Sequence, residues 1–192
     1  DHLYLHSFPT RRSSDLGVMA IPDYQSLMLP LLGFAADGRE HPLREARENL
    51  ASRLGLSEDE RAELLPSGRQ PVFDNRVAWA KTYLQQAGLL SSPRRGHFQI
   101  TARSRAVLAD KPAKIDVKFL DRFPGFIEFR TSGQKGKPVD TAKANECWEN
   151  NTPEEMLESA HQQIRSDLAT DLIRRIKDSP PSFFERLVVE LL

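Results

Sequence analysis

The chain has 192 residues, 39% hydrophobic and 28% charged, an ordinary composition for a globular protein of one large or two small domains. Lysine plus arginine (27) equals aspartate plus glutamate (27), so net charge points to no partner, and the single cysteine, Cys147, excludes an internal disulfide framework and fits a reducing, cytoplasmic setting. No apolar run nears the roughly 18 residues that span a bilayer, and no apolar signal core precedes residue 30, so neither a membrane partner nor secretion is expected.

In chain order, the stretch SFPTRRSSDL (Ser7–Leu16) comes first. Its paired arginines allow a basic arm that enters a minor groove, and its Ser and Arg content allows a transit peptide. A third reading accounts for every residue: the stretch is the translation of a widely used sequencing adapter. Residues 1–18 are therefore expected to be an artefactual or disordered leader, with the natural start near Met19.

Beyond Pro22, Leu27, Met28, Leu31, Leu32 and Ala35 recur at helical spacing up to Asp37-Gly38, with a bend expected at Pro30. Pro42 suits the first turn of a second helix striped by Leu43, Ala46, Leu50 and Leu54 and ended by Gly55. Ser57 and Glu60 form a capping pattern for a short third helix that runs to about Leu65. The next helix carries Val77, Ala80, Leu84 and Ala87 on one face, with Asp74 or Asn75 as its cap and Gly88 as its stop. A Pro/Arg/Gly turn at Ser91–Gly96 then enters a short alternating strand, His97–Thr101. Helices are expected over about 102–109 and 115–122. Residues 127–151, poorest in apolar side chains from Thr131, read as a linker. Thr152 and Glu155 cap a long amphipathic helix with Leu157, Ala160, Ile164, Leu168, Leu172 and Ile176 as its stripe. Ser182 and Glu185 cap a last one, FFERLVVELL, whose apolar face has nothing left to pack on, so the C-terminus reads as cut.

The local charge pattern is uneven. Asp37–Leu64 holds eight acidic residues against five arginines, whereas Pro66–Arg105 holds seven basic residues against Asp74 alone. The expected fold is mainly α with a small β wing: a winged helix-turn-helix domain followed by a linker and long amphipathic helices. In that architecture one helix enters the major groove and a basic turn touches flanking phosphates. The groove helix is Asp74–Ala87, with Asn75, Arg76, Lys81, Thr82, Gln85 and Gln86 as its solvent-side candidates. The wing offers Arg94, Arg95 and Gly96, and Arg69 and Arg103 extend the basic footprint. Each has a plainer reading: a two-arginine turn is more often an ordinary solvated loop, Asn75 fits equally as a cap alone, and Trp79 and Tyr83 read as core or core edge. Cys147 has no partnering Cys or His pattern, and no phosphate loop, dinucleotide fingerprint or H-E-x-x-H is present.

Three segments carry a resemblance: LLPSGRQPVFDNRVAWAKTYLQQAGLL, SPRRGHFQIT, and DLIRRIKDSPPSFFERLVVELL. The first two resemble the N-terminal winged-helix domain of Mrr-like restriction endonucleases, across roughly 21–126. The third is similar to the segment that begins the catalytic domain of that family. The resemblance implies domains at 19–126 (DNA binding) and 152–192 (helical connector and start of a PD-(D/E)xK catalytic domain). It implies modified double-stranded DNA as partner, Mg²⁺ as cofactor of the full-length nuclease but none in this chain, and Glu185 as a helper near the metal site. Glu185 equally fits as the capping partner of Ser182. Because the strands that carry the metal-binding residues are missing, the chain is expected to bind DNA without cutting it. Two alternatives stay open: a winged-helix regulator that forms homo-oligomers through its C-terminal helices, and a protein-interaction module with incidental basic residues.

Overall fold

The computed structural model describes residues 21–132 and 151–191; the expected leader, most of the expected linker and Cys147 lie outside them. The first helix, α1 (Tyr24–Phe34), is capped by Asp23, whose carboxylate accepts from the N–H groups of Gln25 and Ser26 at 2.9 and 3.0 Å. Leu27, Met28, Leu31 and Leu32 are fully buried, and Pro30 lies inside this one helix. A 3-10 turn (Ala35–Asp37) ends at Gly38, whose φ of 79° is the left-handed conformation that glycine adopts without strain.

Two residues then form a strand that the sequence pattern does not reveal, β1 (His41–Pro42). It is followed by α2 (Leu43–Arg53) and α3 (Glu58–Ala62), the latter closed by the expected Ser57–Glu60 capping box. α3 stops short of Leu65 because the chain turns back on itself: Leu64 bridges Pro71, and Leu65 N–H bonds Gln70 C=O at 2.9 Å. Next come α4 (Val72–Gln86), β2 (Leu90–Ser91), β3 (His97–Ile100) and α5 (Ala102–Ala109). α4 starts ahead of the expected Asp74 or Asn75 cap. Pro71, with its φ already fixed, takes that position, while Asp74 pairs with Arg47 and Asn75 turns inward.

The three strands form one antiparallel sheet in the order β1-β3-β2, with His41 opposite Phe98 and Leu90 opposite Ile100. Phe98 and Ile100 point into the core from alternate positions of β3, while His97 and Gln99 are partly exposed, the period-two pattern of a half-buried strand. The sheet thus closes one end of a helical core in which α1 packs along α4. Tyr24 and Tyr83 meet edge to face at 5.2 Å between ring centroids.

The helix expected over 115–122 is shorter, α6 (Val117–Leu120), because Asp116 caps it by accepting from Phe119 N–H at 2.8 Å. The stretch expected to be linker from residue 127 is helical at its start: α7 spans Pro124–Ser132, with Phe126 fully buried and its ring 5.4 Å from Tyr83. Gly125 permits this docking, since a Cβ there would stand 2.9 Å from the Gln86 carbonyl oxygen. After the undescribed stretch come α8 (Pro153–Asp178), with the expected Thr152–Glu155 capping box, and α9 (Pro181–Leu191). α9 begins at Pro181, so Ser182 is its second residue rather than its cap.

Two outcomes follow from the sheet. Phe98→Ala empties a fully buried ring site at the sheet–helix junction and is expected to destabilise the domain by about 3–5 kcal/mol, read from urea denaturation. Asp37 accepts a 2.8 Å hydrogen bond from His41, which holds its carboxyl below the ordinary carboxylate range. A carboxylate so depressed stabilises the fold above its unfolded pKa and loses that contribution as pH falls through the folded one. Asp37→Asn should therefore speed amide exchange around β1 at neutral pH, and the difference from the parent should vanish once acid protonates Asp37.

Candidate nucleic-acid interface

None of the fifteen residues of α4 is freely exposed, so the helix is hemmed in on most sides. At 100° per residue its side chains divide into three faces. Val77, Ala80 and Leu84 fill the core. Asn75, Arg76 and Trp79 form a second face, against the first turns of α8. Asp74, Ala78, Lys81, Thr82 and Gln85 form a third, which is partly exposed.

The second face overturns the expected solvent exposure of Asn75 and Arg76. Asn75 is 2% exposed, and its Oδ1 accepts from the hydroxyl of Thr152, itself fully buried, at 2.5 Å. The Arg76 guanidinium pairs with Glu155 at 2.8 Å and also donates to the carbonyls of Ile21 and Pro22. Trp79 Nε1 donates to Glu154. Ser67 donates its N–H and its hydroxyl to the two oxygens of Glu158, at 2.8 and 2.6 Å. These contacts consume the three acids in the first two turns of α8. The T-x-x-E signal predicted the cap, but nothing in the pattern showed that the cap docks on α4.

The third face holds what α4 leaves open. Lys81 has no ion-pair or hydrogen-bond partner among the described residues, and burial lowers its pKa from the ordinary lysine value. A partly desolvated ammonium with no counter-charge favours an incoming anion. Thr82 donates its hydroxyl to Ala78 C=O at 2.9 Å, so outward it offers a methyl and an acceptor lone pair. Gln85 and Gln86 are both partly exposed, and of the two only Gln85 lies on this face.

The turn between β2 and β3 carries the arginines. Gly96, at φ 77°, closes it, and its carbonyl accepts from Leu43 N–H at 2.8 Å, which fixes the turn to the start of α2. Arg94 is ion-paired to Glu40, whereas Arg95 is exposed and its side chain has no partner among the described residues. Arg103 is held within the fold, since it donates to Ala87 C=O at 3.2 Å and lies over the Phe123 ring at 5.7 Å. Of the seven basic residues between Pro66 and Arg105, Arg76 and Arg94 pair with acids and Arg103 with a backbone carbonyl, so Arg69, Lys81, Arg95 and Arg105 keep side chains without a hydrogen-bond or ion-pair partner among the described residues.

Among the described residues, no group of three or more His, Cys, Asp or Glu side chains is placed to hold a metal ion. Glu185 is exposed on α9. No described helix is long and apolar enough to cross a membrane.

Fold and surface together define a small helical domain with a three-stranded wing, its central helix presenting one partly cationic face. Residues 24–110 match the family model of the Mrr N-terminal domain. The chain is also similar to the type IV methyl-directed restriction enzyme EcoKMrr of Escherichia coli (strain K12), 27% identical over 188 aligned residues that cover 91% of this chain and 59% of that enzyme. It thus spans about three fifths of the length of this curated relative. No solved structure matches. The resemblance to Mrr-like restriction proteins read from the sequence therefore holds.

Thr152→Ala removes the cap of α8 and leaves a buried amide oxygen of Asn75 without its donor. The expected loss is about 1–3 kcal/mol in chemical denaturation. Hydrogen exchange should accelerate in the first turn of α8 and leave β3 unchanged.

Proposed function

We propose that residues 21–126 form a winged-helix module that binds duplex DNA, as the DNA-recognition part of a type IV, methyl-directed restriction nuclease. The observation that carries this reading is the sheet order β1-β3-β2 combined with α4 running directly into the arginine-bearing β2–β3 turn. That is the connectivity in which a helix lies in the major groove while a wing reaches the flanking backbone. On this reading Lys81, Thr82 and Gln85 meet base edges, Arg95 and Arg69 meet phosphates, and Arg94 joins them when it leaves Glu40. Asn75, Arg76 and Arg103 hold the fold together instead. Nuclease activity, dependent on Mg²⁺ and directed to modified DNA, belongs to the whole protein of which this module would be part.

Duplex binding measured across a salt series tests the assignment. Lys81→Ala is expected to weaken binding by about 1–3 kcal/mol, and Arg95→Ala to flatten the slope of log K against log salt by about 0.9. Unchanged affinity and slope in both variants would sink the interface, and absence of any duplex binding by the parent would sink the DNA reading itself. Methylated and unmodified duplexes in the same assay test the preference for modified DNA. A dimerising regulator is the second reading, favoured by the exposure of Leu157, Ile164, Leu168 and Leu172 along α8. A concentration-independent monomer in sedimentation equilibrium would remove it.

A further inference from the structure

A shallow groove runs between the α3–α4 loop and the stretch of α8 from Leu157 to Arg165, with Pro66 and Leu157 as its apolar lining. Three basic side chains line it: Arg69 from the loop, and His161 and Arg165 from α8. All three are exposed and have no hydrogen-bond or ion-pair partner among the described residues. The acid in the groove, Glu158, has both oxygens engaged by Ser67, at 2.8 and 2.6 Å. The groove thus sets two guanidinium groups against one carboxylate, a net positive charge, and the oxygens of that carboxylate are turned to Ser67.

Its position matters as much as its charge. Arg69 lies just ahead of α4, at the opposite end of that helix from the wing. The fifteen residues of α4 rise about 22 Å, so wing and groove stand on the order of two thirds of a duplex turn apart. On the helical wheel the α8-facing side of α4 adjoins the open face that carries Lys81 and Thr82, with Thr82 and Asn75 only about 20° apart in projection. A duplex laid against the open face would thus have α8 at its flank, with the groove turned toward its backbone.

We propose that this groove is a second phosphodiester-binding surface, in which Arg69 and Arg165 take DNA phosphates and His161 supports them, so that α8 is itself part of the DNA footprint. The inference deepens the DNA reading above and rests on it. It assigns to α8 a function beyond connecting two domains: the helix is tied to DNA by Arg165 and to α4 by Glu155. Whatever α8 leads into would be held at a fixed place beside the bound duplex.

The test is a salt series of duplex binding by the full chain carrying Arg69→Ala/Arg165→Ala, beside Arg69→Lys/Arg165→Lys. The first pair is expected to weaken binding about tenfold or more near physiological salt and to flatten the log–log salt slope by about 1.8, two released counterions. The lysine pair should restore most of that slope, since a phosphate contact needs the charge rather than the guanidinium fork. Both substituted positions are exposed and unpartnered, and matching denaturation midpoints would confirm that the fold is unchanged. An alanine pair with the parent's affinity and slope, in a parent that binds duplex through Lys81 and Arg95, would overturn the groove while leaving the DNA reading intact. A parent with no duplex affinity would overturn both.

Discussion

The first turn of α8 is capped and docked by the same two side chains, and the arrangement of the rest follows from that. Thr152 accepts from Glu155 N–H to cap the helix and at the same time donates its hydroxyl to buried Asn75. Glu155 accepts from Thr152 N–H and at the same time neutralises Arg76. A capping box on an isolated helix stabilises by about 1 kcal/mol and specifies only where the helix starts. Here its polar atoms are shared with α4, so the helix start and the helix position are set together. The pair Arg76–Glu155 is mostly buried, with side chains 17% and 12% exposed, and breaking it from one side would leave a charge stranded in low dielectric. The contact therefore serves as a registration device, fixing which face of α4 is covered and which is left to solvent.

That division explains why the candidate site was only partly legible in the sequence. Residue type and helical phase mark Lys81, Thr82 and Gln85, the Pro/Arg/Gly turn marks Arg95, and all four are at least partly exposed. Asn75 and Arg76 share the same helix and equally polar chemistry, yet a segment more than seventy positions away covers them. Periodicity reports that a face is polar; it does not distinguish polar-and-solvated from polar-and-paired. The same limit applies to Arg103, whose guanidinium is held by a backbone carbonyl and an aromatic ring rather than by another charge. Long-range partners of this kind leave no local signature.

The fold was more legible, because most of its signals are local. Capping patterns at Ser57 and Thr152 mark true helix starts, and Gly38, Gly55 and Gly88 end helices with φ between 66° and 79°. The elements that escaped are those with non-local causes. β1 is two residues long and exists because Phe98 and His97 offer it a partner edge. α7 lies in a stretch of ordinary polarity and is held by Phe126 and by the absence of a Cβ at Gly125. α4 begins at Val72 rather than at the obvious acidic or amide cap because Arg47 takes the carboxylate of Asp74, 3.1 Å away.

The open face of α4 is small, and its chemistry is correspondingly specific. Ala78 stands at its centre and presents only a methyl group, so on the proposed reading a duplex would approach the helix backbone closely there. Around it stand three donors on Lys81, the donor–acceptor pair of the Gln85 amide, and the methyl of Thr82, whose hydroxyl is turned inward to Ala78 C=O. In a major groove an amide of this type matches the paired donor and acceptor of adenine, and a threonine methyl matches a pyrimidine C5-methyl group. A 5-methylated cytosine carries its methyl at the same groove position as thymine, beside a donor amine instead of an acceptor oxygen. With its hydroxyl proton committed to the backbone, Thr82 has an acceptor lone pair and a methyl to present, the combination that suits a methylated cytosine better than thymine. On the proposed DNA reading, the intrahelical hydrogen bond, rather than the identity of the side chain alone, would be what suits this position to a methylated base.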